Sequence, residues 1–437
     1  MPKVLYGGGS LTSGGAGEPI NDATGQWLPI GVSPRMGATD SGHDTGVLIT
    51  NTVGGSVSKV YLRVIANTWA AGGSWQLRMR NENGGSPTYQ ATTIVVDDGD
   101  TGEYSDLTTT ITMTEGDEYE WEWTRTGGGS GIMNIMGPTY AFTPTSGAAF
   151  QWNVGEKTNI PSNTTRFFTP LGDNVVTTEI NSMRLKMRIA GTITGFAGRM
   201  FTNTRSTDCS LCLQKAGSDI GTACTWAGGA TGYVEDAGYG SPVSFAVDDY
   251  INVRATGGSG AGTAEYTVCP TTVDPTDDEF QCGVSGNGTV VNAGLTRYFP
   301  IVGECVNVTA TDGNAKLVAP FDMTLDRFRG YIRANSLSAA ETATMNIRVN
   351  GTPVRTITWT SGGSPATGEA FASDTSALDV AEGDDLDVSF VTTGASGSAQ
   401  FMNLTFRGVD ASSSVSVVGK LAGAGGGLVG PSVRLVG

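Results

Sequence analysis

His43 is the whole histidine supply of a 437-residue chain. Ser-His-Asp and Cys-His nucleophile arrangements are built around an imidazole, so any such centre would have to form at that one residue. His43 sits in Thr39-Asp40-Ser41-Gly42-His43-Asp44-Thr45-Gly46, a polar stretch that reads as an exposed turn. A multi-histidine metal centre within one chain is excluded. Charge is scarce too, at 16% of residues, and it is unbalanced: 26 Lys and Arg against 42 Asp and Glu give −16. A surface that negative repels phosphate backbones and anionic lipid, so neither nucleic acid nor a membrane is an expected partner. No apolar run approaches the roughly 20 residues that span a bilayer. Met1-Pro2-Lys3-Val4-Leu5-Tyr6, followed by Gly7-Gly8-Gly9, has no apolar core of a secretory signal. The expectation is a chain that folds in the cell that makes it.

Cysteine is missing from both ends of the chain. The six present, Cys209, Cys212, Cys224, Cys269, Cys282 and Cys305, lie in the middle, so this is no disulfide-dense scaffold. Cys209 and Cys212 form the only C-x-x-C, without the second cysteine pair or histidine pair that a zinc site needs. On a strand the two thiols point to opposite faces and cannot easily bond to each other. Buried free thiols, or one or two disulfides, are the readings left open.

Helical apolar spacing is also absent beyond a few turns. What is abundant is glycine, 64 residues, with much Thr, Ser and Val, a makeup suited to short strands joined by tight turns. Landmarks recur three times in one order. An aromatic-apolar opening comes first: Trp27-Leu28-Pro29-Ile30, Phe167-Phe168-Thr169-Pro170 and Tyr298-Phe299-Pro300-Ile301. An alternating segment follows, Val60-Tyr61-Leu62-Arg63-Val64, matched with Met183-Arg184-Leu185-Lys186-Met187 and with Leu325 to Ile332. Trp75, Leu77 and Met79 are matched with Cys209, Leu211 and Leu213 and with Met345, Ile347 and Val349, each set closed by a glycine (Gly84, Gly217, Gly351). Ile94-Val95-Val96, Cys224-Thr225-Trp226 and Ile357-Thr358-Trp359 then lead to Thr-Gly pairs at Gly102, Gly232 and Gly368. Acidic turns, Gly116-Asp117-Glu118-Tyr119, Asp248-Asp249-Tyr250-Ile251 and Gly383-Asp384-Asp385-Leu386, launch a further strand in each copy. Gly/Ser hairpins at Gly127, Gly257 and Gly394 close the copies, and Phe150-Gln151 returns as Phe280-Gln281. Many weak landmarks agreeing in one order make a repeat.

The apolar period inside these segments is two, so they are strands with one buried face. Tyr119, Trp121 and Trp123 alternate with Glu118, Glu120 and Glu122, which places aromatics inward and carboxylates outward. Asn252 breaks this alternation in the second copy, which reads as an edge strand or a different packing. The fold class is all-β: three tandem β-sandwich repeats of jelly-roll type, with extended Gly-rich terminal arms. The expected division is an arm over 1–24, repeats over 25–142, 165–270 and 295–410, linkers over 143–164 and 271–294, and an arm over 411–437. The units are strung in series, each large enough to fold alone.

Chemistry-bearing motifs are few, and no catalytic, cofactor-binding or metal-ligating residue is assigned. Two carboxylates at the right separation would serve a glycosidase. The candidate clusters are Asp97-Asp98-Gly99-Asp100, Asp274 with Asp277-Asp278-Glu279, and Asp384-Asp385 with Asp387. All of them also read as ordinary turn chemistry, with calcium as the ion such loops would take, although none has the EF-hand spacing. Gly7-Gly8-Gly9 and Gly425-Gly426-Gly427 lack the Lys-Ser/Thr of a phosphate loop. Val415-Ser416-Val417-Val418 and Val433-Arg434-Leu435-Val436 are apolar pieces fit to add as strands to a neighbour's sheet edge.

Tandem sandwiches carrying an Asn-Gly strand end (Asn350-Gly351) and a Glu-Gly-Asp turn (Glu382-Gly383-Asp384) resemble repeats in structural proteins of tailed bacteriophages: head decorations, head fibres and tail appendages. The resemblance covers residues 25–410 and is one of style, not of a diagnostic motif. It implies a non-enzymatic virion part, made and assembled in the host cytoplasm. It also implies partnership with copies of itself, as a trimer, and with other virion proteins such as the major capsid protein. The rival readings are an adhesion or glycan-binding protein and, behind it, a polysaccharide-degrading enzyme.

Overall fold

The computed structural model describes residues 1–10, 18–20, 26–28, 30, 48–70, 72–83, 86–171, 183–236, 241–305, 308–338, 340–360 and 366–412. The chain is all-β, and its strands fall into six sheets that pair as three sandwiches. In the first, Val4–Gly7, Met133–Pro144, Gly55–Asn67 and Ile111–Met113 form one sheet, with Gly102–Asp106 also on Gly55–Asn67. Facing it run Gln26–Leu28, Glu118–Thr126, Ser74–Asn81 and Thr88–Asp97. Leaving aside short flanking strands, this is the first, eighth, third and sixth strand opposite the second, seventh, fourth and fifth, all antiparallel. That order is a jelly roll.

The other two sandwiches repeat it strand for strand. Phe150–Asn159, Ala264–Pro275, Gly191–Asn203 and Gly232–Glu235 face Thr165–Phe168, Tyr250–Thr256, Cys209–Lys215 and Ser218–Trp226. Glu279–Asn292, Ser398–Asp410, Met323–Asn335 and Gly368–Phe371 face Thr296–Phe299, Asp385–Thr392, Thr342–Val349 and Thr352–Thr360.

These pairings correct the expected boundaries. The segments 143–164 and 271–294 are not linkers, because each contains the opening strand of the next sandwich, Phe150–Asn159 or Glu279–Asn292. The connections are the short turns 145–149 and 276–278. The same phase shift puts Val4–Gly7, expected in a free arm, inside the first sandwich, antiparallel to Met133–Pro144. Pro, Asn and Gly content misled here because a strand buried at a junction shows no alternation of apolar and polar residues. Two landmark matches also shift. Val60–Val64 aligns with Phe196–Met200, whereas Met183–Met187 corresponds to the segment ending at Asn51 and to Ala315–Ala319. Leu77 and Leu211 align with Met345, which pairs with Phe390 as Leu77 pairs with Trp123. The C-terminal arm from 413 onward, His43 and Gly84 lie outside the described residues.

Core packing is matched across the copies by size. The third strand carries Leu62, Gly198 and Gly330 at one position, and the fifth carries Val96, Trp226 and Trp359 opposite. A Cβ on Gly330 would stand 2.6 Å from the Trp359 ring, and one on Gly198 would stand 2.9 Å from the Trp226 ring. Trp226 and Trp359 also donate Nε1 to the carbonyls of Gly232 and Gly368, at 2.8 and 3.0 Å. The first copy fills the same volume with Leu62 and Val96, both buried.

The outward face of the seventh strand differs from expectation. Tyr119, Trp121 and Trp123 are in the core, yet Glu120 and Glu122 are buried as well. Arg80 pairs with Glu120, and Arg78 reaches Glu122 through two bonds of 3.0 and 3.1 Å. Asn252, the residue that breaks the alternation, lies on a central strand with neighbours on both sides, not on an edge. It occupies the Glu120 position and donates to Gln214 at 3.0 Å, where the third copy sets Arg348 3.1 Å from Asp387. One copy thus pairs neutral amides where the others pair ions.

This gives a test. Burial pushes the Asp387 carboxyl up from 3.8 to about 6. The folded chain then holds that proton more tightly than the unfolded chain. Its contribution favours folding below pH 3.8 and is lost as pH rises through about 6. The neutral swap Arg348→Gln/Asp387→Asn, copied from Gln214 and Asn252, is expected to match or exceed the wild-type melting temperature at pH 8. Its advantage should shrink at pH 4.5, where the carboxyl is largely protonated in the folded chain. A wild type that melts higher at pH 8 would refute the reading.

Candidate functional site

The three sandwiches are not strung out. They close on one another about a central pseudo-threefold axis, and their junctions carry networks of polar side chains. The axis is built from the three opening strands, aligned by their pairing with Phe142, Val273 and Gly408. Tyr6, Trp152 and Cys282 occupy one position on them, and all are buried. The amide N–H of Gln151 donates to the Tyr6 hydroxyl at 2.7 Å. Trp152 Nε1 donates to the Gln281 carbonyl at 3.0 Å, and Cys282 Sγ donates to the Leu5 carbonyl at 3.4 Å. Each unit therefore touches the next in the same sense, and the third touches the first.

Glutamines fasten two of the junctions. Gln151 accepts from the Thr52 N–H at 2.7 Å and donates to the Thr50 carbonyl at 3.2 Å. Gln281 repeats both contacts with the Arg188 N–H, at 2.7 Å, and the Lys186 carbonyl, at 3.1 Å. At the third junction Leu5 stands in the glutamine position, and Pro320 stands in the position of Thr52 and Arg188. Proline has no N–H to offer, so an amide there would go unanswered. The Val318 carbonyl is met instead by the Thr139 hydroxyl at 2.7 Å.

Farther from the axis the third strand of each unit meets the acidic turn and seventh strand of its neighbour. Arg63 lies 2.7 Å from Asp385 across the third–first junction, and Arg199 pairs with Glu118 across the first–second. At the second–third junction these positions hold Tyr331 and Tyr250, and Glu369 serves instead. It accepts from Tyr250 at 2.7 Å, from Arg329 at 2.8 Å and from Lys186 at 3.2 Å. Burial raises the Glu369 carboxyl, but the Arg329 charge and these hydrogen bonds outweigh it and leave it below the ordinary range. Four residues before Arg63, Lys59 reaches Glu382 at 2.8 Å. Tyr61 shares that carboxylate at 3.3 Å, and burial together with Glu382 pushes its hydroxyl up to about 12. Arg327, at the position of Lys59, donates to the Arg188 carbonyl at 2.7 Å.

The first–second junction departs from this scheme. The position of Lys59 and Arg327 is Gly195 there, and Glu115, at the position of Glu382, faces it across a cavity of about 460 Å³. Glu235, Asp236 and Tyr233 also line it. An adjoining cavity of about 620 Å³ shares Glu115, Thr194 and Thr272 and extends to Asp274.

The acidic clusters named from sequence are dispersed. Asp98 binds the Gly73 N–H at 2.9 Å and pairs with Arg125 at 2.6 Å, closing a turn. Glu279 pairs with Arg407, and Asp384 binds the Ala381 N–H at 2.9 Å. Only Asp385, with Arg63, and Asp274, at the second cavity, belong to a junction. Among the described residues no group of three or more His, Cys, Asp or Glu is placed to hold a metal ion. All six cysteines are free and buried, which decides between the two readings left open, and burial pushes the Cys224, Cys269, Cys282 and Cys305 thiols up.

Sequence reading missed Lys59, Arg199 and Glu369 as junction residues. The signal that existed was the return of Phe150-Gln151 as Phe280-Gln281, which marks the opening strands. No family model matches the chain, and no curated protein does. A solved structure described as the triple jelly roll fold and turret assembly in an archaeal virus aligns over 90% of this chain and 91% of that chain. Its identity is 10% and its TM-score 0.19, so the fold assignment stands on the sheets themselves.

Proposed function

We propose that the chain is a non-enzymatic structural protein of a virus particle infecting bacteria. It would decorate the capsid or form part of a fibre, joined to copies of itself and to other virion proteins such as the major capsid protein. The observation that supports this is the cyclic closure of the junctions: one chain builds the three-lobed block that three separate copies would otherwise build. The junctions use the buried glutamines, arginines and carboxylates to hold lobes together, and the acidic clusters are spent on turns and ion pairs. Such a block resists deformation because its interiors are close-packed and its lobes are held on both flanks. Assembly would take place in the host cytoplasm, with the block carried on the finished virion. Because Val4–Gly7 is built into the first sandwich, attachment falls to the C-terminal segment from 411 onward.

Light scattering on the full chain and on a version ending at Ser412 tests this. The full chain is expected to form assemblies and the shortened one to be a folded monomer. Sedimentation with the particles of the source virus should carry the full chain down. Monomers in both preparations, together with no sedimentation, would defeat the proposal.

A further inference from the structure

We propose that the groove at the first–second junction is the socket for the C-terminal segment of a second copy, with Lys420 supplying the ammonium group that Gly195 lacks. This rests on the reading of the protein as self-assembling and names the contact. The molecule contains its own comparison. Glu382, the counterpart of Glu115, receives an ammonium from Lys59 at 2.8 Å and a hydroxyl from Tyr61. At the remaining junction Arg327 fills the same place. Where the strand carries Gly195 the space stays open, with Glu115, Glu235 and Asp236 around it. The missing group is thus defined chemically: a cation on an aliphatic stem.

Residues 413–437 carry such groups in Lys420 and Arg434 and contain no Asp or Glu, in a chain whose net charge is −16. Charge complementarity therefore singles this segment out. Lys420 stands ten residues past Asp410, the end of the last strand, a reach of about 35 Å when extended. The segment leaves beside a socket that is already filled, since Asp322 accepts from the Glu382 N–H at 2.8 Å and from the Ala411 N–H at 3.0 Å. The vacant socket lies at another junction, and a neighbouring copy presents it as readily. An exposed ion pair alone binds weakly. Val417, Val418 and Leu421 beside Lys420 match the apolar parts of the two cavities, Phe196, Val53 and Met113.

The test is zero-length carbodiimide cross-linking of an equimolar mixture of ¹⁵N-labelled and unlabelled full-length chain, read by mass spectrometry. Lys59 joined to Glu382 within single-isotope pairs serves as the internal standard. Lys420 is expected to join Glu115, Glu235 or Asp236 in mixed-isotope pairs. Glu115→Gln should raise the concentration for half-assembly by about threefold, Lys420→Ala should do the same, and the double variant should add little more. Gly195→Lys should fill the socket from within and block assembly. Its Cβ would meet Thr272 Oγ1 at 2.9 Å, so Glu115→Gln provides the result if that variant misfolds. Lys420 pairs of one isotope only would show the segment folding back on its own chain and overturn the proposal. Lys420 cross-links elsewhere, or assembly indifferent to Glu115→Gln, would overturn it while leaving self-assembly standing. A chain monomeric at every concentration would defeat both.

Discussion

Deleting residues 1–10 is expected to unfold the first sandwich and open the ring, the largest effect of any short truncation. The segment removes Val4, Leu5 and Tyr6, each at most 2% exposed, from the first sheet and the axis. Burial of such side chains is worth about 1.5–3 kcal/mol each, so roughly 5–9 kcal/mol is lost, most of what a domain has to spare. The bare edge of Met133–Pro144 loses its ladder, Gln151 loses the Tyr6 hydroxyl and Cys282 loses the Leu5 carbonyl. Gly9–Ser10 is lost too, and with it the parallel pairing to Gly303–Glu304 that ties the first strand to the third sandwich. Calorimetry should show an early transition for the first unit split from the rest, and the gel-filtration radius should grow. A single transition at the wild-type temperature would show that the segment is dispensable. The complementary variant closes the ring covalently. The Lys3 N–H already donates to Asp410 at 2.8 Å, so a short linker from residue 411 to residue 3, with new ends at Ser146-Gly147, should preserve the fold.

Gly330→Leu is expected to disrupt the third sandwich, and Trp359→Val to restore it. A Cβ at Gly330 would already stand 2.6 Å from the Trp359 ring, and three further carbons have nowhere to go. Overpacking of this kind costs about 1–3 kcal/mol or more. The double variant reproduces Leu62 and Val96, the solution used in the first sandwich, so its melting temperature should return most of the way to wild type. Trp359→Val alone leaves a cavity and loses the bond to the Gly368 carbonyl, so it should also destabilise. Two damaging single changes that become mild together give a strong favourable coupling. Additive losses would show that the two sites are packed independently.

The alternation of Trp75, Leu77 and Met79, or of Leu386, Val388 and Phe390, was legible because a strand in a sandwich buries every second side chain against the facing sheet. The glycines at 102, 232 and 368 were legible too, since each adopts a positive φ (122°, 103° and 92°) at the start of a strand. The opening strands were not. Val4–Gly7 is buried throughout, between its own sheet and its neighbours, so it carries no period and resembles a linker or arm. The buried carboxylates were misplaced for a related reason: Glu120 alternates like a surface residue, and only its pairing with Arg80 across the sheet shows that it is covered.

For the candidate site the division is sharper. Lys59, Gly195 and Arg327 are three unlike residues, and nothing in their neighbours marks them as one position. Their equivalence comes from long-range pairing, and their role comes from which unit stands opposite. By itself the sequence determined that the chain is all-β, that it repeats three times, and that no histidine-based centre can form away from His43. Those properties depend on composition and on contacts within a strand or turn, which are written locally. The jelly-roll order, the unit boundaries, the closure about an axis and the open cavity at the first–second junction were decided only by the tertiary structure. Each of these depends on which distant surfaces meet, and a surface does not reveal its partner until the chain has folded.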